Sequence, residues 1–337
     1  MPGIGAALDT EIFWSLGIES HIGDLRWTSD RSRLVASGVE GEIACIDVKT
    51  GTIVCRWTAH EFGLASISIA PGGERVASCG QDGALRIWTL DGSLVAECAL
   101  PDTWGIGAEY SPAGDVIGVA AGKHVAFVSP GGALVRVYPS LSSTVSGMAW
   151  HGPTFATSGY GGVHLWKSDL DARAGRLEWR GSSLAVAWSP HGRYLATGDQ
   201  DRTVHFWIVA QGKDLEMSGY PIKVKELAWS ADSRYLATGG GADVTVWNCG
   251  GKGPRGTEPL VFEGHEERLN ALAFSRGGVL ASGCNGGEIR LWEPGRGSDA
   301  LVTFGVPSAV SAIAWSPDDA LLAVGDAGGE IHCAAVR

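Results

Sequence analysis

His60, Ser78 and Asp82 are the residue types of a nucleophilic hydrolase: a hydroxyl to attack, an imidazole to take its proton, a carboxylate to orient the ring. Partial copies of the set stand further along the chain. Thr197 and Asp201 recur without a histidine, and His265 and Ser282 recur with Gly286 in the acid's place. Each hydroxyl residue is followed ten positions later by a tryptophan: Trp88, Trp207 and Trp292. One reaction needs one nucleophile, whereas a repeated hydrogen-bond network is a scaffold device. Other chemistry fails on context. There is no G-x-S-x-G elbow and no G-x-x-x-x-G-K-[ST] phosphate loop. Residues 251–256 spell G-x-G-x-x-G, but they contain Pro254 and open no helix. His265-Glu266-Glu267 begins like a zinc-protease motif, yet Leu269 stands where the second histidine is required. No histidine or cysteine group has metal-ligand spacing, so neither a metal nor a cofactor is expected.

The elements that carry these residues follow from a repeat of about 40 residues. Its clearest column is Trp27, Ile69, Tyr110, Trp150, Trp188, Trp229, Phe274 and Trp315, with successive members 38 to 45 residues apart. Each unit holds three short apolar runs separated by Gly, Asp, Ser and Pro, and a fourth run follows, such as TIVCRW, SLVAEC and RLEW. Four short strands per period describe a propeller blade. The phrases ASCGQDGALRIW, ATGDQDRTVHFW and LASG…EIRLW resemble the WD-repeat family over nearly the whole chain. No strict Trp-Asp pair is present, so the repeats are degenerate. The expected fold is a single all-β domain over residues 1–337, a closed propeller of eight four-stranded blades. Seven blades, with unit three irregular, is the alternative, because Val128 and Gly122 replace the Trp and Asp of that unit. The last unit lacks a fourth strand, and the run EIFWSLGI from Glu11 to Ile18 is expected to supply it.

The resemblance also gives roles. A His before the blade, a Ser or Thr on its second strand, an Asp in the next turn and the third-strand Trp form a buried network in the family. His60, Ser78, Asp82 and Trp88 match it fully; Thr197, Asp201 and Trp207, and His265, Ser282 and Trp292, match in part. His164, His205 and His332 share one third-strand column with Arg86 and Arg290. In the family, the loops entering the first strands and the turns between second and third strands form a top face where partners dock. Here those columns hold His21, Trp104, Ile106, Lys223, Lys225, Arg268 and Asn270, with Gln81, Tyr160 and Gln200 in the turns. Lys223, Lys225, Arg268 and Asn270 form a basic-polar sector; Trp104 and Ile106 form an apolar one. Of 14 Trp, only Trp104 lies off the repeat.

Composition bounds the function. A net charge of −11 opposes a sequence-independent grip on nucleic acid or on anionic lipid. No apolar run is long enough for a membrane-spanning helix, and the first residues lack the basic and apolar regions of a signal peptide. Seven scattered cysteines fit a reducing compartment, hence a cytoplasmic protein. Arg in excess of Lys, with abundant Gly and Ala, is the composition expected from a GC-rich bacterial genome. The expected function is a non-catalytic, monomeric scaffold that binds an acidic protein or peptide on its top face. The alternative is a propeller that holds a metal or small molecule in its central channel.

Overall fold

A computed structural model describes residues 9–101, 104–169, 173–251 and 253–337. Among these the chain is antiparallel β-structure throughout, with one 3-10 turn, Val209–Gln211, and no α-helix. The strands form seven sheets, six of four strands and one of six. Within five of the six four-stranded sheets the strands follow chain order, joined by hairpins and short loops; the sixth takes its outermost strand from the other end of the chain. The first strands touch one another in succession around a closed ring, and Ile22–Trp27 meets Val310–Trp315 to complete it.

The expectation of eight separate four-stranded blades is therefore overturned: the sheet count is seven. The departure falls in units four and five, not in unit three. Unit three makes a regular sheet of four strands between Gly105 and Val137. In unit four, Gly161 and Gly162, both at positive φ, turn the chain so tightly that one strand runs from Thr154 to Trp166. Too few residues then separate RLEW from AVAW for a break. A single strand, Gly175–Trp188, pairs with Thr154–Trp166 on one side and with Tyr194–Asp199 on the other, which joins the two units in one six-stranded sheet.

Alternation of side chains fills the spaces between sheets. The second and third strands of most units are buried on both faces, as their runs of Ala, Val and Ile require, while the outermost strands alternate exposed and half-buried. Tryptophans of the first strands also fasten neighbours. The indole N–H groups of Trp27, Trp150, Trp229 and Trp315 donate to the carbonyls of Ala314, Glu109, Ala187 and Ala273, each on the preceding first strand, at 3.0–3.3 Å.

Closure by the N-terminal segment is as expected. Thr10–Gly17 pairs antiparallel with Glu330–Val336 and becomes the outermost strand of the last sheet. Trp14 anchors it: with Leu16 the ring packs against the buried cluster that contains Ile18, Val48 and Ile331, and its N–H donates to the Val48 carbonyl at 2.9 Å. Removing residues 1–17 deletes this anchor and exposes a strand edge. The melting temperature of the truncated protein should fall by on the order of 10 °C in a thermal denaturation followed by circular dichroism; an unchanged curve would show that the segment does not support the ring.

Candidate functional site

The hydrolase-like set assembles fully. The Nδ1 of His60 lies 2.9 Å from Asp82, its Nε2 lies 2.9 Å from the Ser78 hydroxyl, and the Trp88 indole N–H donates to that hydroxyl at 2.9 Å. The geometry repeats a triad in every bond, but its setting differs. Ser78 is fully buried, and its oxygen is already engaged by Trp88, so no substrate carbonyl can reach it. Arg86 donates to Asp82 at 2.6 Å and closes the remaining side. Burial holds the His60 pKa below its ordinary value, against the pull of Asp82. Burial alone would raise Asp82, yet hydrogen bonds from Arg86 and His60 bring it below the usual carboxylate range.

One partial set is completed by a residue outside the expected column, and unit six assembles with a substitute residue type. His265 bonds Ser282 at 2.7 Å, Trp292 donates to Ser282 at 2.8 Å, and Glu288, two residues past Gly286, brings a carboxylate to 3.0 Å from the His265 Nδ1. In unit six, Tyr220 stands in the histidine's place: its hydroxyl bonds Thr238 at 2.8 Å and accepts the Trp247 N–H at 2.9 Å. For Tyr220 the available signal was its place 18 positions before the second-strand Thr238, the same spacing as His60 to Ser78. Unit five does not assemble. Asp201 is exposed and bonded by Thr203, Thr197 turns to Asp199 at 3.4 Å, and the buried Trp207 N–H has no protein partner.

Backbone bonds define the rim with the expected columns. The carbonyls of His21, Gly63, Trp104, Ser182, Arg268 and Ala309 accept from Val39, Gln81, Gly122, Gln200, Asn285 and Ala327 at 2.8–3.0 Å. Trp104 is 61% exposed and Tyr160 60% exposed, whereas Ile106 is half-buried against the core beside Met148. Phe62, in the loop before Gly63, is 71% exposed and was missed because it precedes the column by one residue. Exposed aromatics thus come from three consecutive stretches of the ring, carried by the loops at Phe62 and Trp104 and the turn at Tyr160. His21, Gln81, Gln200, Lys223, Lys225 and Arg268 are also exposed.

The basic sector is built around a carboxylate. Arg268 donates to Asn270 at 3.0 Å, and Asn270 in turn donates to Asn285 at 2.7 Å and to the Val310 carbonyl at 3.1 Å. Burial raises the Glu226 pKa, opposed by the nearby charges of Arg268 and Lys225. Two further acids are displaced more strongly: burial pushes Glu109, beside Asp24 and Arg26 on the inner strands, up to about 7, and Asp199 up to about 7.

Among the described residues, two clusters could hold a metal: His265, Cys284 and Glu288; and Asp326, Glu330 and His332. Each lies within one unit. His164, His205 and His332 do not converge; they bond Arg173, Asp214 and Ser15 separately.

The fold and rim are those of a WD-repeat propeller. The family model for the WD domain, G-beta repeat, matches residues 51–89, 179–207, 216–248, 256–293 and 300–333, just over half of the chain, and the chain belongs to that family. It is 30% identical over 183 residues to Cell division cycle 20.1, cofactor of APC complex, from Arabidopsis thaliana, covering 50% of this chain and 39% of the relative. It is also 30% identical over 193 residues to Ribosome biogenesis protein WDR12 homolog from Chlamydomonas reinhardtii, covering 55% of this chain and 40% of the relative. The chain thus spans less than half the length of these relatives. The crystal structure of the computationally designed Ika8 protein superposes with a TM-score of 0.83 at 20% identity, over 95% of this chain and 97% of that one.

Two outcomes follow from the buried polar groups. Ser78→Ala leaves His60 and Trp88 without their shared partner and should destabilise the fold by about 1–3 kcal/mol in urea denaturation. Asp199 has a folded pKa above its unfolded one, so its ionisation opposes folding above about pH 7 and has no effect once both states are protonated, below about pH 4. Asp199→Asn should therefore raise the melting temperature at pH 8, and the gain should vanish by pH 4.

Proposed function

We propose that the chain is a protein-interaction scaffold that captures a protein or peptide on the rim carrying Trp104. The observation that supports this most directly is the exposed aromatic arc of Phe62, Trp104 and Tyr160, facing solvent on the same rim as Lys223, Lys225 and Arg268. Large exposed aromatics and arginines are the residues that carry binding energy at interfaces. The aromatic arc supplies anchoring area, and the cations across the ring favour a partner with acidic groups. Glu226, held between Lys225 and Arg268, keeps that sector from being a simple phosphate grip. The relatives are consistent with such a role, since one is a cofactor of the APC complex by name.

A non-enzymatic protein fits the burial of Ser78 and the engagement of its oxygen by Trp88. All seven cysteines are free, which agrees with a reducing compartment such as the cytoplasm. No helix among the described residues is long and apolar enough to cross a membrane.

Affinity capture from the native host tests the rim. Trp104→Ala and Arg268→Ala should each reduce recovery of a specific partner at least tenfold, in line with loss of an interface anchor, while the melting curve stays unchanged. Val95→Ser on the exposed outer strand Leu94–Ala99 should leave capture intact. Full retention by the rim variants, or equal loss with the outer-strand control, would place the partner elsewhere.

A further inference from the structure

We propose that Asp326, Glu330 and His332 form a binding site for one divalent transition-metal ion of the zinc type, set at the strand pairing that closes the ring. Asp326 ends the strand Leu321–Asp326, and Glu330 and His332 lie two apart on Glu330–Val336, hence on one face. Asp326 and His332 are almost wholly buried, at 0% and 4% exposure. One carboxylate oxygen of Asp326, Oδ1, accepts the Glu330 main-chain N–H at 2.9 Å. The other, Oδ2, has no hydrogen-bond partner, and neither has the His332 Nε2. These two atoms face each other at 3.6 Å, and the Glu330 Oε2 is also 3.6 Å from the Nε2. All three ligand atoms lie within 4.8 Å of one another.

A separation of 3.6 Å is too long for a hydrogen bond. It suits two donors of one tetrahedral ion, which stand about 3.3 Å apart when each bond is about 2.0 Å. Buried polar atoms are ordinarily paired, and two that face each other across such a gap call for an atom between them. The far side of the imidazole is also arranged for a ligand. Its Nδ1 lies 2.8 Å from the Ser15 hydroxyl, which can accept the Nδ1 proton and leave the Nε2 lone pair directed at the carboxylates. Ser15 sits opposite His332 in the strand pairing, so an ion held here couples the N-terminal strand to the last unit. Glu330, half-exposed, provides the route in from solvent.

The equivalent position in unit five lacks the third ligand. Asp199 and His205 stand in the same two columns, but Thr203 replaces the glutamate. The His265, Cys284 and Glu288 cluster is weaker, because Ser282 already bonds the His265 Nε2 and Arg290 neutralises Glu288 at 2.7 Å.

The test uses the full chain, stripped with a chelator that is then removed, and zinc chloride as the probe. Titration calorimetry should show one ion bound per chain with micromolar affinity or tighter, and a melting temperature that rises by several degrees. Glu330→Gln, a half-exposed change that leaves folding intact by circular dichroism, should weaken binding at least tenfold. His332→Gln should abolish it, and Cys284→Ser should leave it unchanged. The proposal is overturned by absence of stoichiometric uptake, by uptake that survives Glu330→Gln, or by loss on Cys284→Ser, which would assign the ion to the other cluster.

Discussion

The ring rests on how one inner strand is tied to the next. Sheets of this kind meet through side chains, and side chains alone leave the angle between sheets soft. The first-strand tryptophans remove that freedom, because each indole spans the gap and ends in a hydrogen bond to a fixed main-chain carbonyl. At Tyr110, where the column lacks tryptophan, another device replaces it. Between units two and three, where Tyr110 stands, the hydroxyls of Ser66 and Ser68 accept from the main-chain N–H groups of Ala108 and Tyr110 at 2.9 and 3.0 Å. Between units seven and eight, Asn270 adds a second tie to that of Trp315 by reaching the Val310 carbonyl. Trp188 is the exception that fits: its N–H has no protein partner, and it lies on the continuous strand that already joins its unit to the one before.

This economy explains what could be read from the chain. Residue types that recur at fixed intervals carry their geometry with them, so the strand order, the closing segment and the His60 network were legible. The sheet count was not, because it turns on a spacing of a few residues between Trp179 and Ala185 and on the tight turn at Gly161 and Gly162. A periodicity of 40 residues cannot register whether a strand pauses or runs on. Glu288 and Tyr220 escaped for a related reason. Both supply the right atom from the wrong column or the wrong residue type, and hydrogen bonding is satisfied by atoms, not by alignment.

The polar features that repetition does not explain gather at two places. On the inner strands, Asp24, Arg26 and Glu109 stand in a wall that is otherwise largely alanine and serine, and the Glu109 proton is held to about pH 7 by burial. At the column that ends the second strand, where other units place Gly80 or Cys284, units five and eight place the buried acids Asp199 and Asp326. Burying a carboxyl is costly without partners, and the positions tolerate smaller residues elsewhere in the ring. These acids are therefore the places where the chain departs from what folding alone requires.

The pairing of Thr10–Gly17 with Glu330–Val336 also imposes an order of events in the cell. A ribosome delivers the outer strand of the last sheet before the strand it pairs with, which comes more than 300 residues later. Until then Ile12, Phe13 and Trp14 have no sheet to join, and every intermediate length of chain is an open arc with two unpaired ends. Closure over so long a loop carries its entropic cost late, when the rest of the ring is already able to form. A nascent chain of this design can close its ring only once Glu330–Val336 has emerged, so the interval before that is when its apolar edge is most open to chaperones or to a neighbouring copy.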